Sequence, residues 1–146
     1  MNDAEVQEII AWLGLAPHPE GGHFAEIYRR PAAGDEPGTM TSIYYLLAPG
    51  EQSAWHRLGR SDEIWFHHAG APLELKLSRD GIHYESHRLG IDVARGERPQ
   101  VIVPAGCWQS AHVLGAWSLA GCAVSPGFQF SDFELAGPEF QPAPAV

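Results

Sequence analysis

The chain has 146 residues and a mass of 15.9 kDa, the size of one domain able to bury a sizeable core. Its formal net charge of −9 repels phosphate backbones and argues against nucleic-acid binding. Hydrophobic residues make up 45%, so the 16 glycines and 12 prolines belong to a core folded through many turns, not to a disordered polymer. No apolar run approaches the roughly 20 residues needed to span a bilayer, so no membrane partner is expected. The acidic start MNDAEVQEII lacks the basic and then apolar stretch of a secretory leader. Two cysteines, Cys107 and Cys122, make no disulfide framework, and the expectation is a cytoplasmic chain with free thiols.

In chain order, DAEVQEIIAWL predicts a short helix over about residues 3–13. Val6, Ile9, Ile10 and Leu13 recur at helical spacing, while Glu5, Gln7 and Glu8 take the wet side. Asn2 or Asp3 can cap its start, and Gly14 sits where it would end. LAPHPEGGHF then reads as a turn or loop. From Phe24 the period changes to that of strands. Short runs such as MTSIYYLLA, DEIWFHHAG, PLELKLS, QVIVPAG, WSLAGCAVS and FQFSDFEL are separated by breakers such as GDEPG, AGAP, RDG and SPG. PLELKLS alternates Leu73, Leu75 and Leu77 with Glu74, Lys76 and Ser78, and Arg79-Asp80-Gly81 suits a hairpin turn. The class is all-β, a sandwich or barrel spanning about residues 23–135, with no helical runs to build a parallel sheet. The Pro- and Ala-rich tail AGPEFQPAPAV reads as loose.

The chemistry concentrates in PGEQSAWHRLGRSDEIWFHHAG. A strand–loop–strand pairing through LGRSD would set His56 beside Glu63. An imidazole carries protons or ligates metals, and a carboxylate can orient it or share its ion.

This stretch resembles the first motif of the RmlC-like cupin superfamily: Gly50, His56, Glu63 and Gly70 match, while Leu58 stands where a second histidine belongs. Pro104-Ala105-Gly106-Cys107-Trp108-Gln109 is similar to the second motif, with Gln109 in place of its histidine. LAPHPEGGHFAEIYRR, SDEIWFHHAGAPLEL, VPAGCWQSAH and LAGCAVSPGFQFSDFEL together look like the cupin_5 family (DUF985) over about residues 6–135. The resemblance implies a double-stranded β-helix (a jelly roll, or cupin barrel), commonly a homodimer, with a fold similar to that of deoxy-sugar nucleotide epimerases. A divalent metal would fall to His56, Glu63 and Gln109. That set is short of strong ligands, since leucine has no lone pair and glutamine offers a neutral amide. His67 cannot complete it, because it lies about 13 Å along the strand from Glu63. His68 and His112 have the wrong strand parity.

Parity also outlines a small-molecule pocket. With His56 and Glu63 inward, Leu58, Trp65, His67, Gln109, Ala111 and Val113 follow. The preceding strand puts Glu26, Tyr28 and Arg30 on one face and Arg29 on the other; an arginine at the mouth could hold a carboxylate or phosphate. Three functions fit. One is a sugar isomerase or epimerase acting on a sugar-nucleotide-like compound, with His56 held by Glu63 as base and Tyr28 or Tyr44 as acid. Glu26, Arg30, Tyr44, Trp65, His67 and Gln109 would then contact the substrate. The second is a binding module for a small anionic or sugar-like metabolite. The third is a metal-dependent cupin enzyme with a reduced ligand set.

Overall fold

The structure, a computed structural model, describes residues 3–145. Helix α1 spans Asp3–Leu13, where the apolar spacing placed it. It buries Val6 and lays Ile9, Ile10 and Leu13 on Leu46, Trp117, Tyr44 and Ala69, the outer face of a sheet. Leu15 N–H donates to the Ile10 carbonyl (2.9 Å), and Gly14 takes a positive φ of 65°, which closes the helix. Burying Val6 contributes about 1.5 kcal/mol, and a charge there would strip the helix from the sheet. The cap expected from Asn2 or Asp3 lies outside the described residues and side chains.

Twelve strands follow: β1 (Ala16–Pro17), β2 (His23–Arg29), β3 (Thr41–Leu47), β4 (Gln52–Leu58), β5 (Asp62–Gly70), β6 (Leu73–Ser78), β7 (His83–Leu89), β8 (Gln100–Val103), β9 (Trp108–Val113), β10 (Ser118–Ser125), β11 (Phe133–Leu135) and β12 (Ala143–Pro144). They form two six-stranded sheets, in the orders β1-β2-β3-β10-β5-β8 and β11-β4-β9-β6-β7-β12. Among the described strands all pairings are antiparallel except that of β12 with β7. The inner faces meet in a core of Tyr45, Leu47, Trp65, Leu73, Leu75, Leu77, Val101 and Val103. The leucines of β6 point in and Glu74 and Lys76 are less buried, as their alternation predicts.

Three local expectations change. First, β4 and β5 do not pair with each other. They belong to opposite sheets, so His56 and Glu63 meet across the sandwich and not side by side. Second, FQFSDFEL is not a continuous strand; a 3-10 turn over Phe130–Asp132 precedes β11. Third, the tail is docked. Phe140 packs between Trp55 and Trp108, with ring centroids 5.5 and 4.6 Å away, and Ala143 and Ala145 N–H donate to the carbonyls of Ile82 and Tyr84. Aromatic burial outweighs the low propensity of a Pro- and Ala-rich segment.

Candidate functional site

A cavity of about 780 Å³ opens at one end of the sandwich. His56, on β4, and Glu63, on β5, both line it, and both are nearly buried, at 3% and 7% exposure. The register of β4 against β9 shifts between Ser53 and His56, so two residues three apart both point inward. The HPEGG turn between β1 and β2 brings His18 and Glu20 into the same cavity. That turn needs Gly22, which has φ +74° and whose Cβ would lie 2.8 Å from the Leu46 carbonyl oxygen.

Glu20 is the hub. Its carboxylate lies 3.0 Å from His56 Nδ1 and 3.3 Å from His18 Nδ1, and it accepts a hydrogen bond from the Ser53 hydroxyl. His56 Nδ1 also faces the Ala54 carbonyl oxygen at 2.8 Å. Both neighbours of Nδ1 are acceptors, so Nδ1 carries a hydrogen and Nε2 remains for chemistry in the cavity. Burial pushes the His56 pKa down, but the Glu20 charge and hydrogen bond outweigh it and raise the value to about 9. Burial would likewise raise Glu20, yet its attraction to His56 keeps it below the usual carboxylate range. His18 is pushed down, because its burial outweighs Glu20. His56 is therefore an imidazolium at neutral pH beside an anionic Glu20.

Glu63 is held differently. Trp65 Nε1–H donates to Gln109 Oε1 (2.9 Å), and Gln109 Nε2 donates to Glu63 Oε1 (2.8 Å). An indole nitrogen can only donate, so it fixes which way the amide faces: oxygen to Trp65, NH₂ to Glu63. Burial pushes Glu63 up to about 7 despite the His56 charge that favours its anion. The wall is aromatic. Phe133 stacks on His56 (centroids 5.4 Å apart), and Phe128 and Phe130 continue it to the mouth.

The other predicted residues divide. Glu26 lines the cavity, but Arg29 and not Arg30 accompanies it. The pairing of β2 with β3 slips between Glu26 and Tyr28, and this bulge at Ile27 inverts the alternation beyond it. Tyr28 is therefore on the outer face, 46% exposed, and Arg30 lines a neighbouring groove. Arg29 is bonded twice to Glu26, at 2.6 and 3.2 Å. Tyr44 is outside as well, edge-on to His68 and against α1. The tyrosine that points inward is Tyr45, whose hydroxyl donates to the Gly21 carbonyl and whose pKa burial drives far up. Trp65 and Gln109 are core residues behind Glu63, and His67 lies beyond the cavity wall. Sequence reasoning passed over Glu20, His18 and Ser53; the available signal was a carboxylate inside HPEGG, a turn already placed among the resembling segments.

These donors do not suit a metal. Gln109 spends its oxygen on Trp65, Leu58 offers none, and Glu20 is committed to His18, His56 and Ser53. Among the described residues no group of three or more His, Cys, Asp or Glu is arranged to hold an ion.

Two mainly antiparallel sheets closed over a cavity whose polar groups come from β4, β5, β2 and the turn before β2 define a cupin-type jelly roll. The chain belongs to the Cupin_5 family of the cupin superfamily (DUF985), which residues 7–136 match. It is 41% identical to a protein of solved structure from Shewanella oneidensis, with a TM-score of 0.84 over 90% of this chain and 84% of that one. An uncharacterized protein of Saccharomyces cerevisiae is 28% identical over 88% of this chain and 74% of its own length. Oxalate decarboxylase from Bacillus subtilis is 15% identical with a TM-score of 0.62, over 82% of this chain and 29% of that one, and shares the fold alone. No helix among the described residues is long and apolar enough to cross a membrane.

Proposed function

We propose that the protein is a proton-transfer enzyme, an isomerase of a small sugar-like hydroxy-carbonyl compound, with Glu63 as base and His56 as acid. The observation that carries this reading is the pairing, in one cavity, of an imidazolium held by Glu20 with a carboxyl group raised to about 7. Two groups whose surroundings push their pKa values to opposite sides of working pH divide the acid and base roles between them.

The roles are the reverse of those expected from the sequence. A histidine near 9 already holds its proton, so it cannot remove one from carbon at neutral pH. In the forward step the carboxylate of Glu63 takes the proton from the carbon next to the carbonyl. His56 Nε2 gives its proton to the carbonyl oxygen, and an enediol forms. Glu63 then returns its proton to the neighbouring carbon, while His56 recovers one from the hydroxyl on the other side. Atoms and charge balance without a redox partner. Among the described residues no tyrosine lines the cavity, since Tyr28 and Tyr44 face outward and Tyr45 is bound to the Gly21 carbonyl, so one-face isomerisation is favoured over epimerisation. The cavity volume suits a small ligand.

The test is incubation with a panel of aldoses, ketoses and their phosphate and nucleotide esters in deuterated water. Carbon-bound deuterium should appear with wild type and disappear with Glu63→Gln. Thermal stabilisation by a panel member without any exchange would favour the non-catalytic binding module instead.

A further inference from the structure

A second cavity, of about 500 Å³, adjoins the first and shares Gln129 with it. Three loops fasten one another around it. The connection from β2 to β3 is tied to the segment after β10: Ser125 Oγ donates to the Thr39 carbonyl (2.7 Å) and Gly127 N–H to the Gly38 carbonyl (3.1 Å). Gly38 has φ +78°, and a Cβ there would collide with the Arg30 carbonyl. The turn between β4 and β5 is tied in as well. Ser61 Oγ donates to the Pro126 carbonyl (2.7 Å), and Arg60 N–H to Asp132 Oδ2 (3.0 Å). The frame is thus set before any ligand arrives.

Arg30 and Arg60 line this cavity, together with Glu36 and Asp132. Asp132 is engaged with Arg60, by the backbone bond and by a 3.7 Å approach to Nε. Among the described residues no carboxylate pairs with Arg30. Arg29, in the reaction cavity, is the contrast: Glu26 already occupies its fork. An anion binding Arg29 must displace or share a carboxylate hydrogen-bonded to its fork, whereas Arg30 has its planar donor set open and the Arg60 guanidinium meets Asp132 only at 3.7 Å, beyond hydrogen-bond distance.

We infer that this second cavity binds a phosphoryl group of the substrate, held by Arg30 and Arg60. The reactive sugar-like end would pass Gln129 toward His56 and Glu63. The inference deepens the function proposed above and rests on it for the position of the reactive end. It narrows the substrate class to phosphate esters.

The experiment is calorimetric titration of the full chain with inorganic phosphate, pyrophosphate and succinate, using wild type and Glu63→Gln. Pyrophosphate should bind both proteins equally, and more tightly than succinate. Arg30→Ala and Arg60→Ala, both at exposed positions, should each weaken it by about tenfold or more, the usual scale of a lost charge-assisted contact. Arg95→Ala, at a residue that lines neither cavity, should leave the affinity within about twofold. No saturable binding of either phosphate compound overturns the inference. So does succinate binding as tightly, or an affinity that responds to Arg95 and not to Arg30. Because binding is read in the Glu63→Gln protein, failure of deuterium exchange would remove the isomerase reading and leave this result standing.

Discussion

Replacing Glu20 with glutamine removes the charge that keeps His56 protonated while nearly preserving shape. The displacement of the His56 pKa from 6.5 to about 9 corresponds to about 3 kcal/mol of preference for the imidazolium in the folded state. Because the folded value lies above the unfolded one, that stabilisation is complete below pH 6.5. It drains away as pH rises through 9, above which folded and unfolded chains are both deprotonated. Wild type should therefore lose about 3 kcal/mol of unfolding free energy between pH 6.5 and 9, on top of losses from other groups. Without the Glu20 charge, burial is opposed only by the Ala54 carbonyl and the Glu63 charge, so the imidazole pKa falls and this part of the slope should shrink. Glu63, raised from 4.5 to about 7, loses its contribution mostly at lower pH. The Cys107 and Cys122 thiols, both pushed up by burial, act in both proteins. The difference between two urea-denaturation series, wild type and Glu20→Gln, isolates the pair. It should be largest near pH 6.5 and shrink steadily toward pH 9. Parallel curves across that window would refute the reasoning.

The deuterium-exchange rate should follow a bell against pH, rising as Glu63 ionises near 7 and falling as His56 loses its proton near 9; a rate still rising above pH 9 would contradict the assignment. Gln109→Leu should cost about 2 kcal/mol in urea denaturation, because Trp65 Nε1–H is left buried without an acceptor. The same change should move the acid limb of the exchange profile upward, since Glu63 loses the donor that favours its anion. Phe140→Ala should cost about 2 kcal/mol and open the docked tail to protease, with altered fluorescence from Trp55 and Trp108.

The fold was legible because its strands are short, with β6 alternating cleanly, and because one helix repeats Val6, Ile9, Ile10 and Leu13 at its own period. Half of the candidate site was legible for a related reason: the spacing of His56, Glu63 and Gln109 is set by three strands, β4, β5 and β9, and the turns that bound them. What alternation could not show were the irregularities. One extra residue at Ile27 turned Arg29 into the cavity and Arg30 out of it, and the slip between Ser53 and His56 brought both inward. Bulges arise from the balance of twist and packing across strands, and a single strand's pattern does not carry that balance. Glu20 was hidden for another reason. It sits in a Gly- and Pro-rich turn whose path depends on Gly22 packing against Leu46 and Tyr45, contacts distant in sequence. The protonation roles were also out of reach, since they depend on which carboxylate touches His56 Nδ1.

That contact is best tested by nitrogen-15 NMR of histidine-labelled protein, titrated from pH 6 to 10. Both His56 ring nitrogens should carry protons at pH 7.5, with a midpoint near 9 that drops in Glu20→Gln. A neutral His56 at pH 7.5, titrating at or below 6.5 with or without Glu20, would contradict the acid–base assignment at its base.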